Sequence, residues 1–252
     1  MQADIVIVGG GSAGCVLAAR LSEDPALQVV LVEAGLPSRN PWLRIPIGYF
    51  KTVGHPLHDW RFETDPEPDM AQRRLPWPRG RGPGGSSLIN GMLYLRGHRA
   101  DYDQWAALGN PGWDWDSVRP YFDRSQPAAD GPLWVSELPR DALSDAFIAA
   151  AAHAGIAPTA DFNGGDNSGA GYFRMTTRHG RRMDTGRAFL APALGRSNLR
   201  VLSGAQATRV CFEGRRAVGV DCVRDGKVER VSARHEVILS AGAIQSPQLL
   251  QL

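Results

Sequence analysis

The sequence predicts an α/β fold, and the order of three features near its start carries that prediction. Residues 5–8 form a short, wholly apolar run, which is typical of a parallel strand covered on both faces. A glycine-rich turn follows, and then apolar Val16, Leu17 and Leu21 recur at helical spacing. Residues 29–32 are a second apolar run. Strand, glycine turn, helix and strand in this order predict a Rossmann-like nucleotide-binding unit.

The composition indicates a folded chain of one large domain or two smaller ones. It has 252 residues, of which 43% are hydrophobic, and a formal net charge of +2. Such a small charge gives no reason to expect nucleic acid or an anionic membrane as a partner. We expect no signal peptide and no membrane span, since no run of about 18 apolar residues occurs. Cys15, Cys211 and Cys222 are too few and scattered for a disulfide framework or a metal site, so we expect a cytoplasmic protein.

The glycine turn, which reads GGGSAG, contains the pattern G-x-G-x-x-G. In that pattern Gly9 permits the tight turn, Gly11 lets backbone approach a pyrophosphate, and Gly14 lets the helix pack close to the strand. The helix that begins near Ser12 and Ala13 would direct unpaired N–H groups at the turn. The turn therefore predicts a dinucleotide site.

An acidic residue at the end of the second strand supports this interpretation. Glu33, followed by Ala34, stands at about the 20-residue spacing expected for the acid that binds ribose hydroxyls. The alternative is a structural glycine turn with a surface glutamate, and the motif alone leaves NAD and FAD open. A hydrolase is a further alternative, because residues 10–14 also fit the nucleophile elbow G-x-S-x-G around Ser12.

A second glycine-rich stretch favours FAD over NAD. Residues 79–97 read RGRGPGGSSLINGMLYLRG, with six glycines among apolar residues. Small residues followed by apolar ones suit backbone that passes close to a flat, extended ligand. The alternative is a buried glycine-rich crossover.

Four stretches together resemble the glucose–methanol–choline (GMC) family of flavoprotein oxidoreductases, and particularly its choline-dehydrogenase-like and alcohol-dehydrogenase-like members. They are the opening turn, HDWRFETDPEP (58–68), residues 79–105 and ILSAGAIQSPQLLQL (238–252). The resemblance implies FAD as cofactor and a small-molecule alcohol as substrate, whose CH–OH group is oxidised to a carbonyl by hydride transfer to the flavin. The electron acceptor and the oligomeric state stay open.

The resemblance also implies the residues that bind the cofactor. The first glycine turn and Glu33 match the pyrophosphate loop and the ribose acid. Residues 82–86 match the loop along the FAD phosphates and sugar, and residues 90–93 match the segment beside the isoalloxazine. Val210 matches a strand residue whose backbone meets the adenine. The full set of matching residues is Gly9, Gly11, Ser12, Ala13, Gly14, Glu33, Ala34, Gly82, Gly85, Ser86, Asn90, Gly91, Met92, Leu93, Val210, Ala241 and Gly242.

A further feature concerns the link to the flavin. Some family members carry a histidine just before the asparagine, and that histidine is covalently bound to FAD. Here Ile89 occupies this position and cannot form such a bond. We therefore expect FAD to be held without a covalent bond.

The expected organisation has three parts. Residues 1–35 and 199–252 form the Rossmann-like FAD-binding core, with a β-meander over 199–239. Residues 36–100 form a lid and the glycine-rich segment that contacts FAD. Residues 101–198 form the beginning of an α+β substrate region, which the resemblance implies is incomplete.

The resemblance also implies that the catalytic histidine of the family lies beyond residue 252. We therefore assign no catalytic residue and expect the chain alone to be inactive, which leaves open an FAD-binding fragment without turnover. His55 and His58 are the nearest substitutes as a base, although a surface or structural role suits them better.

Overall fold

The computed structural model describes residues 1–126 and 132–252. These residues form two compact units, the first made of Met1–Gly91 with Asp184–Leu252 and the second of Met92–Met183. The helices and strands are, in chain order, β1 Gln2–Val8, α1 Ser12–Leu21, β2 Val29–Glu33, α2 Tyr49–Thr52, β3 Phe62–Glu63, β4 Pro76–Trp77, β5 Leu93–Tyr94, α3 Arg99–Ala107, α4 Trp115–Ser125, β6 Ser136–Glu137, α5 Ala142–His153, β7 Arg174–Met175, β8 Thr177–Arg178, β9 Arg181–Arg182, α6 Ala191–Ala193, β10 Leu199–Ser203, β11 Gln206–Glu213, β12 Arg216–Arg224, β13 Lys227–Leu239 and α7 Gly242–Gln251.

The first unit is built on a six-stranded mixed sheet with the order β10-β2-β1-β13-β12-β11. Neighbours among β10, β2, β1 and β13 pair in parallel, whereas β11, β12 and β13 form an antiparallel meander. All of β2, and all of β1 except Gln2, is buried, as expected of strands covered on both faces. The predicted α/β class is confirmed.

The predicted meander over residues 199–239 starts before the observed one, whose first strand is β11. Residues 199–203 were expected to open it, but they form β10, which pairs in parallel with β2 from Leu199 opposite Val29. Leu202 of this strand is buried in the same apolar cluster as residues of β1 and β2. A short apolar run has the same pattern in either setting, so periodicity could not separate an edge strand of the parallel sheet from a strand of the meander.

One strand joins the two parts of the sheet. Residues 227–232 of β13 pair antiparallel with β12, and residues 232–239 pair in parallel with β1. β13 therefore delivers Ser240 and Ala241 to the same edge at which β1 ends. The backbone N–H of Gly9 donates to the carbonyl oxygen of Val32 at the end of β2, at 2.8 Å. The backbone N–H of Ser240 donates to the carbonyl oxygen of Val8 at the end of β1, also at 2.8 Å.

The segment 36–78, which lies within the expected lid, has little regular secondary structure. It contains three 3₁₀ turns, the one-turn helix α2 and the two-residue antiparallel pair β3–β4.

The second unit contains the helices α3, α4 and α5. His98 and Asp101 form a capping box at the start of α3, and the side chains of Asp114 and Asp141 accept backbone N–H groups at the starts of α4 and α5. β6 belongs to a three-stranded sheet of order β5-β7-β6. Across residues 1–126 and 132–252, no helix combines the length and apolar character that crossing a membrane requires.

Candidate functional site

Two glycines are required by the turn that follows β1. Gly9 has φ +97°, and a Cβ there would lie 2.7 Å from backbone atoms of Ser240 and Ala241. A Cβ on Gly14 would lie 1.9 Å from the Gly9 carbonyl oxygen, because α1 passes directly beneath the turn. A Cβ on Gly11, in contrast, would meet no atom nearer than 3.9 Å. The fold explains the first two glycines, and the open space at Gly11 is available to a ligand.

The N-terminus of α1 suits an anion. Gly11 is the N-cap and offers no side-chain acceptor, and the first turn contains no acidic residue. The first N–H groups of a helix have no intrahelical acceptor, and the helix dipole is positive at this end. A phosphate placed at Ser12 and Ala13 would therefore meet backbone donors and a favourable field.

Glu33 joins three backbone segments through its carboxylate. Its oxygens accept hydrogen bonds from the N–H groups of Gly10 at 2.7 Å, Gly35 at 2.7 Å and Gly82 at 3.1 Å. The residue is 7% exposed. Burial raises the pKa of Glu33, and the three amide donors oppose that effect by stabilising the charged form. A carboxylate has about four acceptor positions, so about one remains for a hydroxyl of a ligand.

These elements surround a cleft of about 580 Å³, called here the main cleft. Its volume lies within the roughly 300–1,000 Å³ that small-molecule sites typically occupy. The first glycine turn, Glu33, α7 and residues 205–208 contribute to its lining. The predicted site residues that line the main cleft are Gly9, Gly11, Ser12, Ala13, Glu33, Ala34, Gly85, Ser86, Ala241 and Gly242.

Three other predicted residues lie near the main cleft without lining it. Gly14 packs beneath the turn, and Gly82 donates its N–H to Glu33. Val210 is buried in β11, beyond residues 205–208 at the start of that strand, which do line the main cleft. Their cofactor roles stay predictions.

The segment predicted to lie beside the isoalloxazine is divided between the two units. Asn90 and Gly91 end the first stretch of the first unit and are exposed. Met92 and Leu93 begin the second unit, where Met92 is buried and Leu93 exposed. Their contacts with a cofactor stay predictions.

The sequence analysis did not assign Trp60, Phe62 and Arg79, which also line the main cleft. The rings of Trp60 and Phe62 are parallel within 5°, with centroids 5.9 Å apart. Both residues lie in the stretch HDWRFETDPEP, so the signal was present, but nothing in that stretch alone indicates which side chains face a ligand.

No histidine among residues 1–126 and 132–252 lines the main cleft; its titratable side chains are Glu33 and Arg79. His58 is buried, stacks on His55 with ring centroids 4.6 Å apart, and lines a separate cavity of about 250 Å³. Burial lowers the pKa of His58. A cleft without a histidine base gives no support to Ser12 as the nucleophile of a hydrolase.

Cys15, directly below the turn, is also unsuited to chemistry. Its thiol lies 3.1 Å from the Gly10 carbonyl oxygen and is fully buried, and burial raises its pKa to about 12. Within the described ranges, no three histidine, cysteine or acidic residues are arranged to hold a metal ion.

Comparison with known proteins places this cleft in context. The family model described as GMC oxidoreductase matches residues 3–252. Mitochondrial choline dehydrogenase of Mus musculus is 44% identical over 98% of this chain and 44% of its own length. Pyridoxine 4-oxidase from Mesorbium loti has a TM-score of 0.93 and 36% identity, over 98% of this chain and 51% of that chain. An FAD-dependent oxidoreductase from Chaetomium thermophilum has a TM-score of 0.90 and 28% identity, over 99% and 47%. The chain thus spans about half the length of the relatives it matches.

Proposed function

The chain belongs to the GMC oxidoreductase family, and we propose that it is the FAD-binding portion of an oxidoreductase that acts on the CH–OH groups of small alcohols. When bound, FAD supplies the hydride acceptor that allows an alcohol to become an aldehyde or ketone. The similarity to choline dehydrogenase supports an alcohol as the substrate class, and the similarity to an FAD-dependent oxidoreductase supports the cofactor.

The observation that carries the proposal is the fit between the main cleft and an extended dinucleotide. The first turn offers an open position at Gly11, a free helix N-terminus and a buried carboxylate within one continuous cleft. Pyrophosphate needs close backbone approach and N–H donors, and a ribose needs an acceptor for its hydroxyls. The residues present therefore fit FAD.

Each part of the main cleft has a proposed role. Gly11, Ser12 and Ala13 hold the pyrophosphate, and Glu33 accepts a hydrogen bond from the adenosine ribose. Gly85 approaches the first turn so closely that a Cβ on it would lie 2.6 Å from Gly11 Cα, which brings the second glycine stretch to the phosphates. The backbone of residues 205–208 is available to the adenine.

The parallel strands β10, β2, β1 and β13 support a Rossmann-like core, with residues 1–35 and 199–252 as the FAD-binding domain. Residues 36–100 remain the proposed lid and FAD-contacting segment, and residues 101–198 the proposed beginning of a substrate region. A cytoplasmic location stays a prediction from the cysteine content.

A second candidate is an FAD-binding unit that does not turn over alcohols by itself. The absence of a histidine among the described residues that line the main cleft favours it. Removal of the alcohol proton needs a base, and general-base help typically accelerates a reaction by about 10²–10⁴-fold.

Anaerobic mixing of the FAD-loaded chain with choline, benzylic and aliphatic alcohols tests both candidates. Loss of the flavin absorbance at enzyme-like rates would support the complete activity. A chain that binds FAD but shows no alcohol-dependent bleaching would support the second candidate. A folded chain that binds no FAD would refute the proposal.

A further inference from the structure

Asp59 is a buried aspartate that directly precedes Trp60, one of the aromatic residues that line the main cleft. Asp59 is 2% exposed, and its carboxylate accepts hydrogen bonds only from backbone N–H groups within the described part of the chain. Oδ2 accepts from Gly54 at 2.7 Å, and Oδ1 accepts from Arg61 at 2.9 Å and Arg79 at 3.0 Å. Gly54 and Arg61 flank Asp59 in one stretch, whereas Arg79 lies 20 residues further along the chain, so Asp59 ties its own stretch to the one that contains Arg79.

The contacts of Asp59 hold the backbone around Trp60. Arg61 adopts φ +55°, a left-handed conformation that is rare for a residue with a side chain, and its N–H is held by Asp59. Asp59 also forms a β-bridge with Gly80, and Trp60 donates its N–H to the Arg79 carbonyl oxygen at 2.8 Å. The backbone on both sides of Trp60 is therefore anchored through one carboxylate.

Two side chains pack against the Trp60 ring. Phe62 stacks parallel to it, and the Arg81 guanidinium lies 4.7 Å from a Trp60 ring centroid. Trp60, Phe62, Arg79 and Gly80 all line the main cleft. A flat, supported indole beside a phosphate-binding loop suits contact with a nucleotide, since aromatic faces bind planar groups with little loss of side-chain freedom.

We propose that Asp59 is a positioning residue, which holds Trp60 in the wall of the main cleft and thereby sets the affinity for FAD. This inference rests on the proposed function, because it takes FAD as the ligand. A merely structural role would make Asp59 important for stability alone.

The test uses the full chain labelled with 5-fluorotryptophan, in which Trp60→Phe identifies the ¹⁹F resonance of Trp60. Asp59→Asn retains an oxygen for Arg61 and Arg79 but places an NH₂ group against the Gly54 N–H. Asp221→Asn is the matched control, because Asp221 is 6% exposed, is bound by Arg209 and Arg230, and does not line the main cleft.

Asp59→Asn should shift or broaden the Trp60 resonance before any cofactor is added. It should also weaken FAD binding by up to roughly tenfold, as expected when an aromatic contact with a planar group is lost. Asp221→Asn should lower stability and leave both readouts unchanged. An unchanged Trp60 resonance, or an unchanged FAD affinity, in folded Asp59→Asn would overturn the inference.

The two proposals fail in different ways. If the parent chain binds no FAD, the proposed function fails, and the affinity part of this inference fails with it. The Trp60 resonance of the cofactor-free protein then still decides whether Asp59 positions the indole. Asp59→Ala, which removes all three acceptor contacts, should shift that resonance more than Asp59→Asn; a smaller shift in a folded variant would contradict the positioning role.

Discussion

Replacement of Glu33 by glutamine separates its two roles, as the acceptor of three backbone amides and as the proposed acceptor for the ribose. The glutamine side chain would have nearly the same shape but only one acceptor oxygen. In the more favourable orientation, that oxygen still accepts the hydrogen bonds from the N–H groups of Gly35 and Gly82, whereas the new NH₂ group faces the Gly10 N–H. Glu33→Gln thus loses one amide contact and the charge.

The magnitude follows from those contacts. One hydrogen bond to a charged acceptor contributes about 1.5–3 kcal/mol, and removal of a buried charge returns part of this loss. We expect the free energy of unfolding to fall by about 2 kcal/mol. If the carboxylate also accepts a ribose hydroxyl, FAD binding should weaken by roughly ten- to a hundredfold.

Alanine is the wrong substitution for this purpose. Glu33→Ala would leave three buried N–H groups unsatisfied, at about 1–3 kcal/mol each, which approaches the total stability of about 5–15 kcal/mol typical of a domain. The contacts with Gly10, Gly35 and Gly82 explain why glutamine is needed instead.

Urea unfolding measures the change in the free energy of unfolding, and titration of the folded protein with FAD measures the change in FAD affinity. Glu213→Gln is the matched control, since Glu213 is exposed at the end of β11. A folded Glu33→Gln variant with the FAD affinity of the parent chain would refute the ribose role and leave Glu33 as a structural residue.

Three further predictions concern Gly11, Asp4 and Ile89. Gly11→Ala should fold with near-parent stability, because its Cβ would meet no atom nearer than 3.9 Å, and should lose most FAD affinity, because the methyl group would stand where we propose that the pyrophosphate binds. Gly195→Ala, whose Cβ would meet no atom within 4 Å, is the control, and equal FAD affinities of the two variants would contradict this prediction. Hydrogen bonds from Arg234 and the Gln28 N–H lower the pKa of Asp4 from 3.8 to about 2. The ionised Asp4 therefore stabilises the fold fully above pH 3.8, and this contribution is lost as the pH falls to about 2. In acid-unfolding measurements, the difference in free energy of unfolding between the parent chain and Asp4→Asn should disappear over that pH range. Acid precipitation of the FAD-loaded chain should release all yellow colour, because Ile89 cannot bind flavin covalently; a coloured pellet would oppose this.

The residues that sequence could assign are those whose role depends on local geometry. Gly9, Gly14 and Glu33 belong to one strand–turn–helix–strand unit, in which spacing determines position. Asp59 could not be assigned in this way, since its partner Arg79 lies 20 residues away along the chain and only the folded backbone brings the two together.

The same limit applies to strands. The run at 199–203 is apolar in any setting, and its parallel pairing with β2 depends on which sheet edge is open. The adenine contact of Val210 is a different case, because it comes from the family resemblance and not from a strand pattern. Val210 is buried in β11, residues 205–208 line the main cleft, and the contact of Val210 with the adenine stays a prediction.

Competitive binding tests the central claim most directly. The purified chain is titrated with FAD, ADP, FMN and NAD under equal conditions, with intrinsic fluorescence as the readout. A cleft that holds the adenosine pyrophosphate of FAD should release FAD to excess ADP, and should bind FMN, which lacks the adenosine, at least about tenfold more weakly. NAD carries the same adenosine pyrophosphate but no flavin, so it should bind less tightly than FAD. Preference for NAD, or FAD binding that excess ADP does not displace, would contradict the account.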